Sequence, residues 1–539
     1  MKKTAGISLI ILLGVILRLI FIDKPDGLWN DEYISWQIAS VPFGIDFFKA
    51  VFSQCHMPFY YLYLKFFMNI FGNSDLILRL TSVLTGVISI PVMYKLGKEY
   101  DEKTAWYCTI FTAVSAFLIY FSQEVRLYSV LFLFSALCIL FTIRYIKFQN
   151  IKNLILCIIF NFFVLFTHTI GFVFVFFNLI FISINIKSKK TICIIWSTIT
   201  LLTGMLSPLI IKILSTRTFS QWWGHFSVSK ICFLFTDYFS PVITNITNAP
   251  DNFFYAPELA LYMIIPTIIS VVFIYNALKG NTLNKQLFCL CASVLFVLIA
   301  VSLTGKLVFL TKYTIEIYPI LILLACNGAT VYKNRILKNI LLIIYLIVSL
   351  GYILIHPYSA PKMHRAEGHK IVTNMLDNMN LKHGDYIVFL YYPETRFIKY
   401  FDFSWYNIVS INKGNFQDYL SPDVDYGHAY AEGKKIYRGL FLTDGNKYLQ
   451  NKLQKEIFDN LEYGQSVVMV ILDSVALYTP KNITDIAIED TAYKNTPLLY
   501  LVFSYLKKEI FLDLAKNLNV VRVENKGKWT TVKFTKLNK

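Results

Sequence analysis

The chain is 539 residues long, 56% hydrophobic and 17% aromatic, with a mean hydropathy of +0.52. Only 16% of its residues are charged, against roughly 25% in a typical soluble domain; this excludes an ordinary soluble protein and points to a polytopic membrane protein. A formal net charge of +17 does not make it a nucleic-acid binder, because the positive residues sit in short loops between apolar runs and form no basic domain.

Residues 5–22 follow Lys2 and Lys3 as the core of a signal peptide would. No small-x-small cleavage site follows them and further apolar runs do, so they read as a retained signal-anchor helix. A helix needs about 20 apolar residues to cross the hydrocarbon core. By that rule there are about eleven spans, at roughly 5–22, 77–97, 104–121, 125–146, 153–167, 169–186, 192–214, 258–278, 286–303, 313–331 and 336–355. The turns 146–153, 187–191, 279–285 and 332–338 carry Lys147, Lys152, Lys187, Lys189, Lys190, Lys279, Lys285, Lys333, Arg335 and Lys338, with almost no acid. Together with Lys2 and Lys3 these cations fall on one side if the spans alternate. The positive-inside rule makes that side the cytoplasm, and an odd count sends the C-terminus outside. The expected setting is a multi-pass protein of the plasma (inner) membrane.

Three long segments then face outward. The first, 23–76, contains "GLWNDEYISWQIAS" and two aromatic amphipathic stretches, Asp46–Phe52 and Phe59–Phe71, suited to helices lying in the interface. The second, about 215–257, contains "FSQWWGHF", whose tryptophans fit an interfacial belt or an acceptor-facing loop. In the third, after His356, charge rises and period-2 strands appear: "DYIVFLYY", "YNIVSI", "QSVVMVIL", "NVVRVE" and "WTTVKF". Helical patterns alternate with them: "RAEGHKIVTNMLDNM", "NKYLQNKLQKEIFDNLEYG" and "LLYLVFSYLKKEIFLDLAKNL". The expected division is therefore a transmembrane domain, 1–356, and a C-terminal extracytoplasmic α/β domain, 357–539. The nine cysteines lie mostly within apolar runs and none has zinc-ligand spacing with histidine, so neither structural disulfides nor a zinc site is expected.

Ionisable residues gather at the outer ends of the spans. Asp31 and Glu32 follow the first span; as a structural pair they would serve as an N-cap and a first-turn acid. His56 precedes Met57-Pro58, a proline-started helix. Asp75 and Arg79 are four apart, the spacing of a helical ion pair. Glu124 and Arg126 lie at the junction of two spans, and Lys306 and Lys312 place positive charge on the outside, against the usual bias. Together, carboxylates and cations at headgroup depth suit a lipid phosphate and a hydroxyl that must lose a proton. Cations stabilise a leaving phosphate, a carboxylate acts as general base, and glycosyl transfer needs a carboxylate near an oxocarbenium-like centre.

The stretches "WNDEYISWQIA", "CHMPFYYLYLKFFMNIFGNSDLILRLTSVLTGVISIPVMYKLGKEY" and "SAFLIYFSQEVRLYSVLFLFSAL" resemble the GT-C class of membrane glycosyltransferases. Within that class they are most similar to the group of protein O-mannosyltransferases, lipid A aminoarabinose transferases and lipopolysaccharide-core transferases. The resemblance covers residues 27–145 most clearly. The later "KYTIEIYPILILLA" looks like the family's Arg-Tyr span opening, with Lys312 where arginine is usual and so without a bidentate fork; Met57 stands where a first proline is common. The resemblance implies a polytopic helical fold of GT-C type with a variable C-terminal part. It implies inverting sugar transfer from a polyprenyl-phosphate donor to a glycan, lipid or protein acceptor on the non-cytoplasmic face. Asp31 then matches the catalytic acid, with Glu32 beside it, and His56, Arg79, Glu124, Arg126, Lys306 and Lys312 would bind the donor phosphate or substrate. Metal dependence differs within the class, so no divalent cation is assigned. A transporter or flippase of a lipid-linked sugar is the alternative, and it expects charge deep within the spans; a non-catalytic anchor would leave the Asp-Glu pair without a task.

Overall fold

The structure is a computed structural model that describes residues 2–20, 22–23, 27–53, 57–205, 226–242, 260–304, 308–355, 369–390, 399–413, 437–442, 461–472, 518–526 and 529–536. It divides into two compact units: Met1–Asp23 with Ile34–His364, and Lys24–Tyr33 with Arg365–Lys539.

The first unit is helical. Helix α1 is Lys2–Leu19, and three shorter helices follow: α2 (Asn30–Ser40), α3 (Ile45–Ser53) and α4 (Pro58–Phe71). The amphipathic stretches are thus helices α3 and α4. Lys65 of α4 donates to the carbonyls of Ala39 (3.1 Å) and Val41 (2.6 Å), which ties α4 to the C-terminal end of α2, where main-chain carbonyls lack partners. Helix α5 (Asp75–Lys98) begins at Ser74, whose hydroxyl accepts from Ile77 N–H, and ends on Lys95 and Lys98, cations that complement a helix C-terminus.

Helices α6 (Glu102–Val114) and α7 (Ala116–Ser122) are one apolar run bent by 54°. Ser115 stands at the break, and its hydroxyl accepts from Leu118 N–H at 3.4 Å. Then come α8 (Tyr128–Phe148), α9 (Ile151–Thr167), α10 (Gly171–Asn185), α11 (Lys189–Met205), α12 (Ser229–Phe239), α13 (Ala260–Leu278) and α14 (Thr282–Leu303). A 3-10 turn, Thr311–Ile317, runs into α15 (Tyr318–Val331), and α16 (Arg335–Ile355) closes the series.

Among the described residues, helix is found within each of the eleven expected span positions; residues 206–214 of the seventh lie outside them. Among the described residues, however, six are long and apolar enough to cross a membrane, or seven if the bent pair counts as one. Helices α9 and α10 are apolar but shorter, as is the first helix. The core of the bundle is the 311–331 segment, with 89% of its apolar window buried, against 17% for 335–354. Large apolar side chains exposed on the outer helices, such as Ile340 and Ile347 of α16, suit a lipid-facing surface, where no hydrophobic gain comes from burying them in protein.

Among the described residues of the second unit six strands form one sheet in the order β3-β2-β1-β4-β6-β5. They are β1 (Tyr386–Leu390), β2 (Asn407–Lys413), β3 (Tyr437–Leu442), β4 (Ser466–Leu472), β5 (Leu518–Lys526) and β6 (Trp529–Lys536). The first four are parallel, and β6 and β5 are antiparallel. All five expected strands are present; β3 was not expected. Helix α17 (His369–Asp377) presents Val372, Met375 and Leu376, with Met379 beyond its end, to Ile387, Val468 and Val470. That is the i, i+3, i+4, i+7 stripe of a helix buried on one face. The other two expected helical stretches lie almost wholly outside the described residues.

Candidate functional site

A buried cation organises the broken helix. Arg18 lies inside the first apolar run and is fully buried. Its guanidinium donates to the carbonyls of Gly14 (3.1 Å), Ala113 (3.1 Å) and Thr112 (3.0 Å) and to the Ser122 hydroxyl (3.2 Å). Thr112 and Ala113 belong to the last turn of α6, whose carbonyls the break at Ser115 leaves without helical partners. Gly86 of α5 makes the room: a Cβ there would stand 2.1 Å from the Ser122 hydroxyl and 3.0 Å from Arg18 Nε. Gln123 adds two bonds, donating to the carbonyls of Arg18 (3.0 Å) and Ile20 (2.7 Å). The turn that follows carries Glu124 and Arg126.

Arg126 and Glu124 are both buried. Arg126 Nη1 donates to the Ser35 hydroxyl of α2 at 3.2 Å, and its carbonyl accepts from Ser82 of α5. The 3-10 turn brings in Lys312, also buried, with Nζ 5.3 Å from the ring centre of Tyr313. That turn is held by a polar lattice. Thr311 donates to Asp237 (3.0 Å), Tyr238 hydroxyl meets Thr314 (2.6 Å), Tyr318 donates to the Tyr238 carbonyl, and Ser115 meets the Tyr318 hydroxyl (3.0 Å). The Tyr238 and Tyr318 rings stack at 4.4 Å. Glu316, in the same turn, is fully buried, and neither carboxylate oxygen has a hydrogen-bond partner among the described residues.

His168 completes the group from the connection between α9 and α10. It is only 7% exposed, and its ring lies 5.5 Å from that of Tyr313. Burial first, and then the nearby charges of Arg126 and Lys312, hold its imidazole far below the ordinary histidine range, at about 3. It is therefore neutral wherever the protein works.

Asp31 and Glu32 open helix α2. Glu32 is fully buried, and its Oε2 accepts from Trp29 N–H at 3.2 Å. This is the reach-back half of a capping box, with Glu32 at the third helical position. Asp31 is half-buried. The approach is fixed by Gly27, at φ +82°, and by Leu28, whose N–H donates to the Tyr400 hydroxyl at 2.7 Å. A Cβ at Gly27 would stand 2.8 Å from that same hydroxyl.

Of the expected donor-binding residues, Arg126 and Lys312 both bear on the charge of His168, with Glu124 in the same turn as Arg126. Arg79 is buried in α5 and donates to the Ile22 carbonyl at 3.3 Å, a structural engagement at the end of the first apolar run. His56 and Lys306 lie outside the described residues. Sequence reading passed over His168 and Arg18, although each is an ionisable residue within or at the edge of an apolar run, a signal that by itself marks a candidate. Among the described residues no three His, Cys, Asp or Glu side chains are placed to hold a metal ion.

The family of dolichyl-phosphate-mannose-protein mannosyltransferases matches the chain over residues 55–213. Among solved structures, ArnT from Cupriavidus metallidurans in the apo state is similar over 99% of this chain and 98% of its own, with a TM-score of 0.55 at 10% identity. ArnT from the same organism bound to undecaprenyl phosphate covers 98% of both chains, with a TM-score of 0.51 at 11% identity. At such identity the likeness is one of fold. No curated protein sequence matches the chain. The family match and the shared fold together support a membrane glycosyltransferase of the GT-C class.

Proposed function

We propose that this chain moves a sugar from a polyprenyl-phosphate carrier to a hydroxyl on the non-cytoplasmic side of the plasma membrane. The observation that carries the reading is the buried group of Arg126, Lys312 and neutral His168. Cations in a desolvated setting are costly, and a phosphate at headgroup depth offsets that cost. ArnT, which has the same fold, has been solved with undecaprenyl phosphate.

In the step proposed, Asp31 takes the proton from the acceptor hydroxyl as its oxygen attacks the anomeric carbon. The bond from that carbon to the phosphate oxygen breaks on the opposite face, and the electron pair leaves with the lipid phosphate. The configuration inverts. Arg126 and Lys312 stabilise the charge growing on the leaving phosphate. The C-terminal unit, an α/β domain in this reading, lies outside the cytoplasm and serves docking or acceptor selection.

The test is transfer by the purified full-length protein from a panel of undecaprenyl-phosphate sugars, alongside mass spectrometry of envelope glycolipids and glycoproteins with and without the gene. A cytoplasm-only reporter fused after Lys539 should be silent. Absence of transfer from every donor together with an unchanged glycan profile, or a strong reporter signal, removes the proposal.

A further inference from the structure

A buried imidazole with an open nitrogen is the feature of this bundle that the expected site did not include. His168 sits at the end of α9, in the short connection to α10. Its Nδ1 is buried and has no hydrogen-bond partner among the described residues. Buried polar atoms are nearly always paired, and leaving one open is costly. An open one inside a structure therefore asks for a partner that arrives from elsewhere.

Its surroundings narrow the chemistry of that partner. The Tyr313 ring has His168 on one flank, 5.5 Å between centres, and Lys312 Nζ 5.3 Å from its centre. Arg126 is close enough to act on the His168 charge. The positive charges of Arg126 and Lys312, which act against a charge on His168, disfavour a cationic partner, and a purely apolar one would leave the nitrogen open. An anion with several acceptor oxygens fits: one oxygen takes the imidazole N–H while others face Arg126 and Lys312. Because the imidazole is neutral, it adds a hydrogen bond without adding a third charge to desolvate when the site is empty.

Resting on the donor reading above, we propose that His168 is a direct ligand of the lipid-linked phosphate, donating a hydrogen bond from its ring nitrogen to a phosphate oxygen held between Arg126 and Lys312. The alternative is a core histidine that packs on Tyr313 and touches no ligand. The two readings differ in what a ring without nitrogen does. Phenylalanine keeps the packing on Tyr313 and removes the donor. Glutamine loses the ring and keeps an N–H.

The experiment is equilibrium binding of undecaprenyl phosphate, undecaprenol and inorganic phosphate to the purified full-length protein in detergent micelles. It compares wild type with His168→Phe and His168→Gln, and with His168→Ala as a second donor-free variant should the larger ring not be accommodated. Wild type should prefer undecaprenyl phosphate to undecaprenol. That preference should fall about tenfold in His168→Phe, the scale of one charge-assisted hydrogen bond, and recover for the most part in His168→Gln. An unchanged preference in the donor-free variants, or equal weakening of both lipids, overturns the assignment of His168 and leaves the donor reading standing. Inorganic phosphate binding as tightly as the lipid overturns the lipid source. A wild-type protein with no preference for the phosphate removes the donor reading, and this inference with it.

Discussion

Arg18 and His168 are both polar groups buried in the same bundle, and the structure treats them in opposite ways. Arg18 spends its donors inside the protein, on three carbonyls and a hydroxyl at 3.0–3.2 Å. His168 keeps Nδ1 open among the described residues while Arg126 and Lys312 bear on it. A buried cation whose hydrogen bonds close on the protein has its desolvation offset at all times and belongs to the scaffold. A group left open carries a standing cost that a bound partner removes, and it persists where the surrounding structure holds it in place. The bracket around Arg18 is part of that surrounding structure: it fixes the end of α7, from which the Glu124–Arg126 turn departs.

If this contrast is sound, substitutions on the open side should move turnover with little effect on stability, and those at the bracket should do the reverse. The largest effect on turnover is expected at Asp31. Asp31→Asn keeps the size of aspartate but cannot accept a proton. It should lose roughly two or more orders of magnitude in turnover, the scale of a removed general base, with a melting temperature lowered only slightly by the lost first-turn charge. A stable and fully active Asp31→Asn enzyme would sink the catalytic reading of the motif.

At the bracket, Arg18→Ala strands the carbonyls of Thr112 and Ala113 in the bundle. Each buried group without a partner costs about 1–3 kcal/mol, so thermal unfolding in detergent should show a loss on the order of 3 kcal/mol. Gly86→Ala, which drives a methyl into the Ser122 hydroxyl and the guanidinium, should destabilise in the same sense. If Arg18→Ala melts like wild type while donor use collapses, the two regions have been assigned the wrong way round.

Arg126→Ala sits between these extremes. A charge-assisted hydrogen bond to phosphate is worth about 1.5–3 kcal/mol, so steady-state kinetics should show donor use weakened roughly tenfold or more. Unchanged kinetics would detach Arg126 from the phosphate and leave its bond to Ser35 as structure alone.

What the sequence disclosed follows from which signals are local. The strands at 386–390 and 466–472 announce themselves by alternation and β-branched residues, which are properties of a few adjacent positions. Strand β3, "YRGLFL", was missed because Gly439 interrupts the pattern and the run is short. Among the described residues helices stand where the apolar runs predicted them, and six or seven of them pass the length rule. The Glu124–Arg126 turn and Lys312 were legible as charges at span ends. The partners of Arg18 were not, because Thr112, Ala113 and Ser122 are 94–104 residues away in the chain, and no local pattern announces a contact of that range. His168 stands in a short polar break, Thr167-His168-Thr169, between two apolar runs, and nothing local shows that the charges of Arg126 and Lys312 bear on it.

The smallest effect separates the two members of the opening motif. Glu32 is fully buried, and its Oε2 accepts from Trp29 N–H at 3.2 Å, so one of its oxygens is engaged in starting the helix. Glu32→Gln retains an acceptor oxygen for that N–H and loses the negative charge near the N-terminus of α2. A first-turn charge is worth about 0.3–1 kcal/mol, so the variant should melt slightly lower and turn over within about fivefold of wild type. Asp31 stands one position earlier and is half-buried, and its isosteric change is expected to be far more severe. Measured side by side, the two variants test whether adjacent carboxylates on one helical turn divide into scaffold and chemistry, as Arg18 and His168 divide within the bundle. A loss in Glu32→Gln as deep as that in Asp31→Asn, at unchanged stability, would show instead that the pair acts on the acceptor together.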